Sequence, residues 1–125
     1  MTGPAWVAFL VAAAVGAPAR YLLDGWVQDR TEGAFPWGTF AVNTTGCMAL
    51  GVVTGLGLYH DLGSSYRTVL GTGALGAYTT FSTLTYETVR LAEEGALDEA
   101  IRNAAASFLV GLAAAGAGLA LTATL

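Results

Sequence analysis

The run Gly71-Thr72-Gly73-Ala74-Leu75-Gly76-Ala77-Tyr78-Thr79-Thr80-Phe81-Ser82-Thr83 admits two readings, and the choice between them decides the fold. Its first six residues match the Gly-x-Gly-x-x-Gly dinucleotide fingerprint, with an apolar lead-in and Glu93 near the expected acidic position. That motif works only between a strand and a helix of a βαβ unit. Here a threonine-rich stretch follows, no second strand is evident, and the flanks are long and apolar. The other reading is a membrane helix with poor helix formers, glycines and β-branched threonines, at its centre. A helix interrupted at that depth is tolerated where its freed carbonyls are buried in protein or bind an ion.

Composition supports the second reading. Of 125 residues, 54% are hydrophobic and only 11% are charged, against about a quarter charged in a soluble domain. A body this small could not cover itself with so little polar surface, so lipid is its natural solvent. The five basic residues are all arginines and form no cluster, which excludes the phosphate contacts that nucleic-acid binding needs. Cys47 is the single cysteine, so neither an intrachain disulfide nor a cysteine metal site can form.

Four apolar segments flank or contain this run: Pro4–Leu23, Trp37–Tyr59, Tyr66–Leu91 and Ala100–Leu125. Each supplies the ~20 residues that a helix needs to cross a hydrocarbon core. The expectation is an all-α integral membrane protein of four transmembrane helices, the third broken at its centre. The N-terminal segment lacks a basic lead and outruns a signal-peptide core, so it reads as a retained helix. Trp6, Tyr21, Trp26, Trp37, Tyr59 and Tyr66 lie near segment ends, where amphipathic rings favour the headgroup region. Gly51-x-x-x-Gly55 and the Ala113–Gly118 run predict close helix packing. Asn43-Thr44-Thr45 is a formal glycosylation sequon, but it lies inside an apolar segment.

Polar side chains at membrane depth face the bundle interior or a water-filled path. Asn43, Thr44 and Thr45 fall in the second segment, Thr79, Thr80, Ser82 and Thr83 in the third, and Ser107 in the fourth. Interhelical hydrogen bonding explains any one of them; as a set they point to a permeation path. The set is rich in donors and poor in charge, which suits a small anion, and Phe81 can add the positive edge of its ring. Arg20 and Glu87 lie just inside segment ends on the same side, and the expectation is a pair between them or, as the alternative, an Arg20 that snorkels alone. His60 is the only histidine and lies in a loop, so no buried acid–base dyad is available and no enzyme chemistry is visible.

Three stretches carry a resemblance: Gly16-Ala17-Pro18-Ala19-Arg20-Tyr21, Gly38-Thr39-Phe40-Ala41-Val42-Asn43-Thr44-Thr45-Gly46, and Gly76 through Thr83. Together they resemble the Fluc (CrcB) fluoride channels, and the likeness covers the whole chain. It implies passive export of fluoride across the inner cell membrane, through two pores between the subunits of an antiparallel, dual-topology dimer. It also implies a structural sodium ion held by the backbone carbonyls of Gly76 and Thr79. Asn43 would be the pore asparagine, Phe81 the first of two phenylalanines on the ion path, and Glu87 the acid near its mouth. Two positions depart from the pattern: Leu84 stands where the second phenylalanine belongs, and Asn103 replaces the tyrosine four residues before Ser107. The expected ion path is therefore Asn43, Phe81, Thr83, Leu84, Glu87, Asn103 and Ser107. Arg20, Arg30, Arg90 and Arg102 fall on one side and only Arg67 on the other, a bias that admits an inverted paralogue as partner instead of a second copy. The competing readings are a proton-coupled antiporter of the small-multidrug type, which needs a membrane-embedded carboxylate, and a nonconducting membrane assembly protein.

Overall fold

A computed structural model describes residues 1–125. It is all-helical: α1 (Gly3–Gln28), α2 (Trp37–Tyr59), α3 (Ser64–Arg67), a π-helical stretch (Thr68–Leu75), α4 (Gly76–Tyr78), α5 (Phe81–Glu93) and α6 (Leu97–Ala123). The dinucleotide reading fails here, since its glycines lie in the π-helical stretch and α4 rather than after a strand.

Helices α1, α2 and α6 are each long and apolar enough to cross a membrane. The third segment is not a single rod: an extended pair, Thr79 and Thr80, cuts it between α4 and α5. Only 18 of the 125 residues are buried, too few for a core that could hold the chain together in water. Leu10, Leu22, Leu58, Ile101, Leu109 and Leu112 all stand exposed, as lipid-facing side chains do.

Small residues set the packing of α2 on α6. Gly51, Gly55, Gly111, Ala114 and Gly118 are all buried. A methyl on Gly51 would overlap the Ala115 carbonyl, and one on Gly118 would overlap the Met48 carbonyl. The backbones thus touch, as small-residue packing within lipid requires. His60 ties the other ends of the same two helices, with Nε2 at 2.7 Å from the Thr122 carbonyl oxygen. Gly16 of α1 lies against the Ala74 carbonyl in the same way, which seats α1 on the π-helical stretch.

The largest shifts from the expected boundaries are at two helix ends. Helix α1 runs to Gln28, five residues past Leu23, because its last turn still has partners: Gln28 Oε1 accepts from the Gly38 N–H at 3.3 Å, and Arg30 stacks 4.2 Å from the Trp26 ring. Helix α6 starts at Leu97, with Asp98 and Glu99 in its first turn, where acids complement the helix dipole. Between α5 and α6 the chain turns at Gly95, whose φ of 83° is left-handed. The Ala96 N–H closes that turn on the Leu91 carbonyl at 2.8 Å, the glycine-terminated helix end that a tight reversal needs.

Candidate functional site

The break in the third segment organises the site. Thr79 (φ −79°, ψ 161°) and Thr80 (φ −147°, ψ 122°) are both extended, a conformation that β-branched side chains favour. Each uses its hydroxyl to close one helix end. Thr79 Oγ1 donates to the Leu75 carbonyl at 2.9 Å, and Thr80 Oγ1 accepts from the Thr83 N–H at 3.2 Å as the N-cap of α5. Buried peptide groups need partners, and α2 provides them. Asn43 Nδ2 donates to the Thr80 carbonyl at 2.8 Å, and Asn43 Oδ1 accepts from the Thr80 N–H at 2.9 Å. One amide side chain thus does for Thr80 what a neighbouring β-strand would do.

Because the Thr80 N–H points to Asn43, the Gly76 carbonyl loses the donor that a continuous helix would give it. The Thr79 carbonyl accepts one long bond, from Arg20 Nη1 at 3.4 Å. That bond corrects the expected Arg20–Glu87 pair: the ion pairs in the chain are Arg90–Glu94 and Arg102–Glu99. Arg20 follows Gly16 by one turn on the face of α1 that packs on the third segment, and its guanidinium reaches the Thr79 carbonyl instead of Glu87.

A groove of about 290 Å³ opens beside the break, and Asn43, Gly76, Thr79, Phe81, Leu84 and Ser107 line it. These six, predicted from three segments, come together on one surface that carries no carboxylate and no basic group. Phe81 is 77% exposed along it. The other expected residues lie apart. Thr83 faces a cleft of about 210 Å³ across the break, with Arg20, Asp24 and Thr39. Glu87 faces a third space with Asp24, Arg90 and Glu94. Asn103 is wholly buried between α5 and α6, where Nδ2 donates to Thr88 Oγ1 at 2.9 Å and Oδ1 accepts from Ser107 Oγ at 3.4 Å. Asn103→Ala is expected to lower stability by about 2 kcal/mol through the lost buried hydrogen bonds, measured as a lower melting temperature in detergent.

Thr39 is the residue that sequence reasoning passed over. Its hydroxyl donates to Glu87 Oε1 at 3.0 Å, while Glu87 Oε2 is buried without a partner. The available signal was spacing: Thr39 precedes Asn43 by four residues, which puts both on the face of α2 that meets the third segment.

Comparison with known proteins shows the family of the chain. The family model described as CrcB-like protein, Camphor Resistance (CrcB), matches residues 7–119. A protein named fluoride-specific ion channel FluC 1 from Streptomyces avermitilis is 49% identical over 114 residues, covering 91% of this chain and 92% of the relative. One of the same name from Symbiobacterium thermophilum is 48% identical over 118 residues, covering 93% and 95%. The fluoride-specific ion channel FluC of Acidobacterium capsulatum is 42% identical over 115 residues, covering 91% and 90%.

Proposed function

The chain belongs to the CrcB-like family, and on that premise we propose that it conducts fluoride passively along the groove beside the Thr79–Thr80 break. The observation that carries this reading is the grouping of Asn43, Phe81 and Ser107 on one uncharged surface. A full positive charge there would trap a small anion. An amide N–H with a ring edge solvates it weakly enough to let it pass. Fluoride enters a cell as neutral HF and ionises in the less acidic cytoplasm, so a passive pore suffices to export it. The antiporter reading finds no carboxylate on the groove, and Glu87 is bound to Thr39 outside it.

In this proposal the broken third segment also crosses the inner cell membrane, which makes four crossings with α1, α2 and α6. Two chains assemble antiparallel, each in either orientation, and the exposed groove faces the interface to form two pores. An inverted paralogue could take the place of the second copy. The carbonyls at the break fit a structural sodium ion, since hard cations take oxygen ligands. Gly76 has lost its helical donor, and its Cα is uncrowded, the nearest atom to an added methyl being the Gly71 oxygen at 3.9 Å. Gly76 and Thr79 of each chain would hold the ion, and its charge would join the broken segments of the two subunits.

The test is fluoride efflux from liposomes holding the purified protein, followed with a fluoride electrode. Efflux down the fluoride gradient is expected without a proton gradient and without matching chloride efflux. Phe81→Leu is expected to slow it about tenfold, the value of one aromatic edge contact. A wild-type protein that passes no fluoride overturns the channel reading, and flux unchanged in Phe81→Leu removes the groove as the path.

A further inference from the structure

The groove at the break does not end at Ser107. A second trough of about 380 Å³ runs between α5 and α6 and shares Phe81, Leu84 and Ser107 with the first. The two are continuous along one face. Thr85, Thr88 and Phe108 line the extension, and the question is which of its groups could meet an anion.

The hydroxyl protons there are already committed. Thr85 Oγ1 donates to the carbonyls of Phe81 and Ser82 at 3.0 Å each, and Thr88 Oγ1 to that of Leu84 at 2.8 Å. Ser107 Oγ donates toward Asn103 Oδ1. What these groups turn to the trough is oxygen lone pair, which repels an anion. The remaining positive groups are the ring edges of Phe81 and Phe108. Phe81 is 77% exposed and Phe108 69% exposed. Neither takes part in the aromatic contacts of the chain, which join Trp6 to Phe9 and link Phe35, Trp37 and Phe40. Their edges are therefore free.

We infer that Phe108 is a second ring-edge residue of the ion path, its edge meeting fluoride on the α6 side of the trough as that of Phe81 meets it on the α5 side. Leu84 lies between them as an apolar wall. The inference rests on the channel reading above and adds a residue from the fourth apolar segment to it.

The test compares wild-type protein with Phe108→Leu in the same liposome efflux assay, with thermal unfolding in detergent measured in parallel. Phe108→Leu is expected to lower the fluoride rate about tenfold with an unchanged melting temperature, because the side chain it shortens is exposed. Phe108→Met takes its place if the leucine variant does not yield folded protein. Wild-type flux from either folded variant overturns the inference and leaves the channel reading standing. Loss of flux together with a matching loss of thermal stability overturns it too, since packing would then account for the effect. No flux from the wild-type protein sinks the channel reading itself, and this inference with it.

Discussion

Asn43→Leu is expected to abolish fluoride flux and, in the same protein, to lower stability by on the order of 3 kcal/mol. The cause is the pair of bonds that Asn43 makes to the N–H and carbonyl of Thr80. Leucine fills the volume but leaves both peptide groups buried and unpaired, since Thr80 is only 8% exposed. Each orphaned group costs about 1–3 kcal/mol. The consequence would be visible as a fall in melting temperature on the order of 10 °C for a domain of this size. Phe81→Leu provides the contrast, because its side chain is exposed: flux falls and the melting temperature stays. If Asn43 acted only as a donor to the ion, its substitution would behave like that of Phe81. Equal melting temperatures for Asn43→Leu and wild type would therefore refute the clamp.

The second large effect concerns the contact of α2 with α6. Gly118→Ala is expected to cost about 3 kcal/mol, read in the same unfolding measurement. The added methyl would overlap the Met48 carbonyl oxygen and lie 2.9 Å from the Val52 nitrogen and 3.2 Å from the Gly51 carbonyl carbon. All three are main-chain atoms, so relief requires the two helices to part, which also loosens Gly51 from Ala115. Gly116, two residues earlier in the same helix, meets nothing within 4 Å. Gly116→Ala should gain roughly 0.5–1 kcal/mol from helix propensity alone. Equal effects at the two glycines would show that the close approach is not what holds α2 and α6.

The pattern of success in the sequence reading follows from what side chains reveal. Trp37–Tyr59 is bounded in the structure as the sequence predicts, because aromatic residues mark both ends and the turn residues of the adjoining loops lie just beyond. The break was legible from Gly76, Thr79 and Thr80, whose backbone preferences all oppose a straight helix. The six groove residues came together because residue type and depth sufficed to group them. Azimuth did not follow from depth: the sequence sets Arg20 and Glu87 at matching levels, yet Arg20 turns toward Thr79. Nor did the role of Asn43, since the same amide donor serves an ion or a peptide equally well. The π-helical stretch left no signature at all, because its wider turn is set by the fit of Gly73 against Phe9 and Gly16 against Ala74, contacts between segments far apart in the chain.

The clamp on Thr80 also bears on how the chain can be laid into a bilayer as it leaves the ribosome. The residues that satisfy the third segment come from both sides of it in sequence. Arg20 and Asn43 are synthesised before it, while Asn103, which pairs with Thr88, is synthesised after. With that segment spanning the bilayer as proposed, the open backbone at Thr79–Thr80 has its partners on α1 and α2, both made before it. The polar face of α5 closes only when α6 arrives. Insertion of this segment is thus a two-stage event, and a chain truncated after Glu93 would hold its break closed while leaving Thr88 without the amide donor that completes its face.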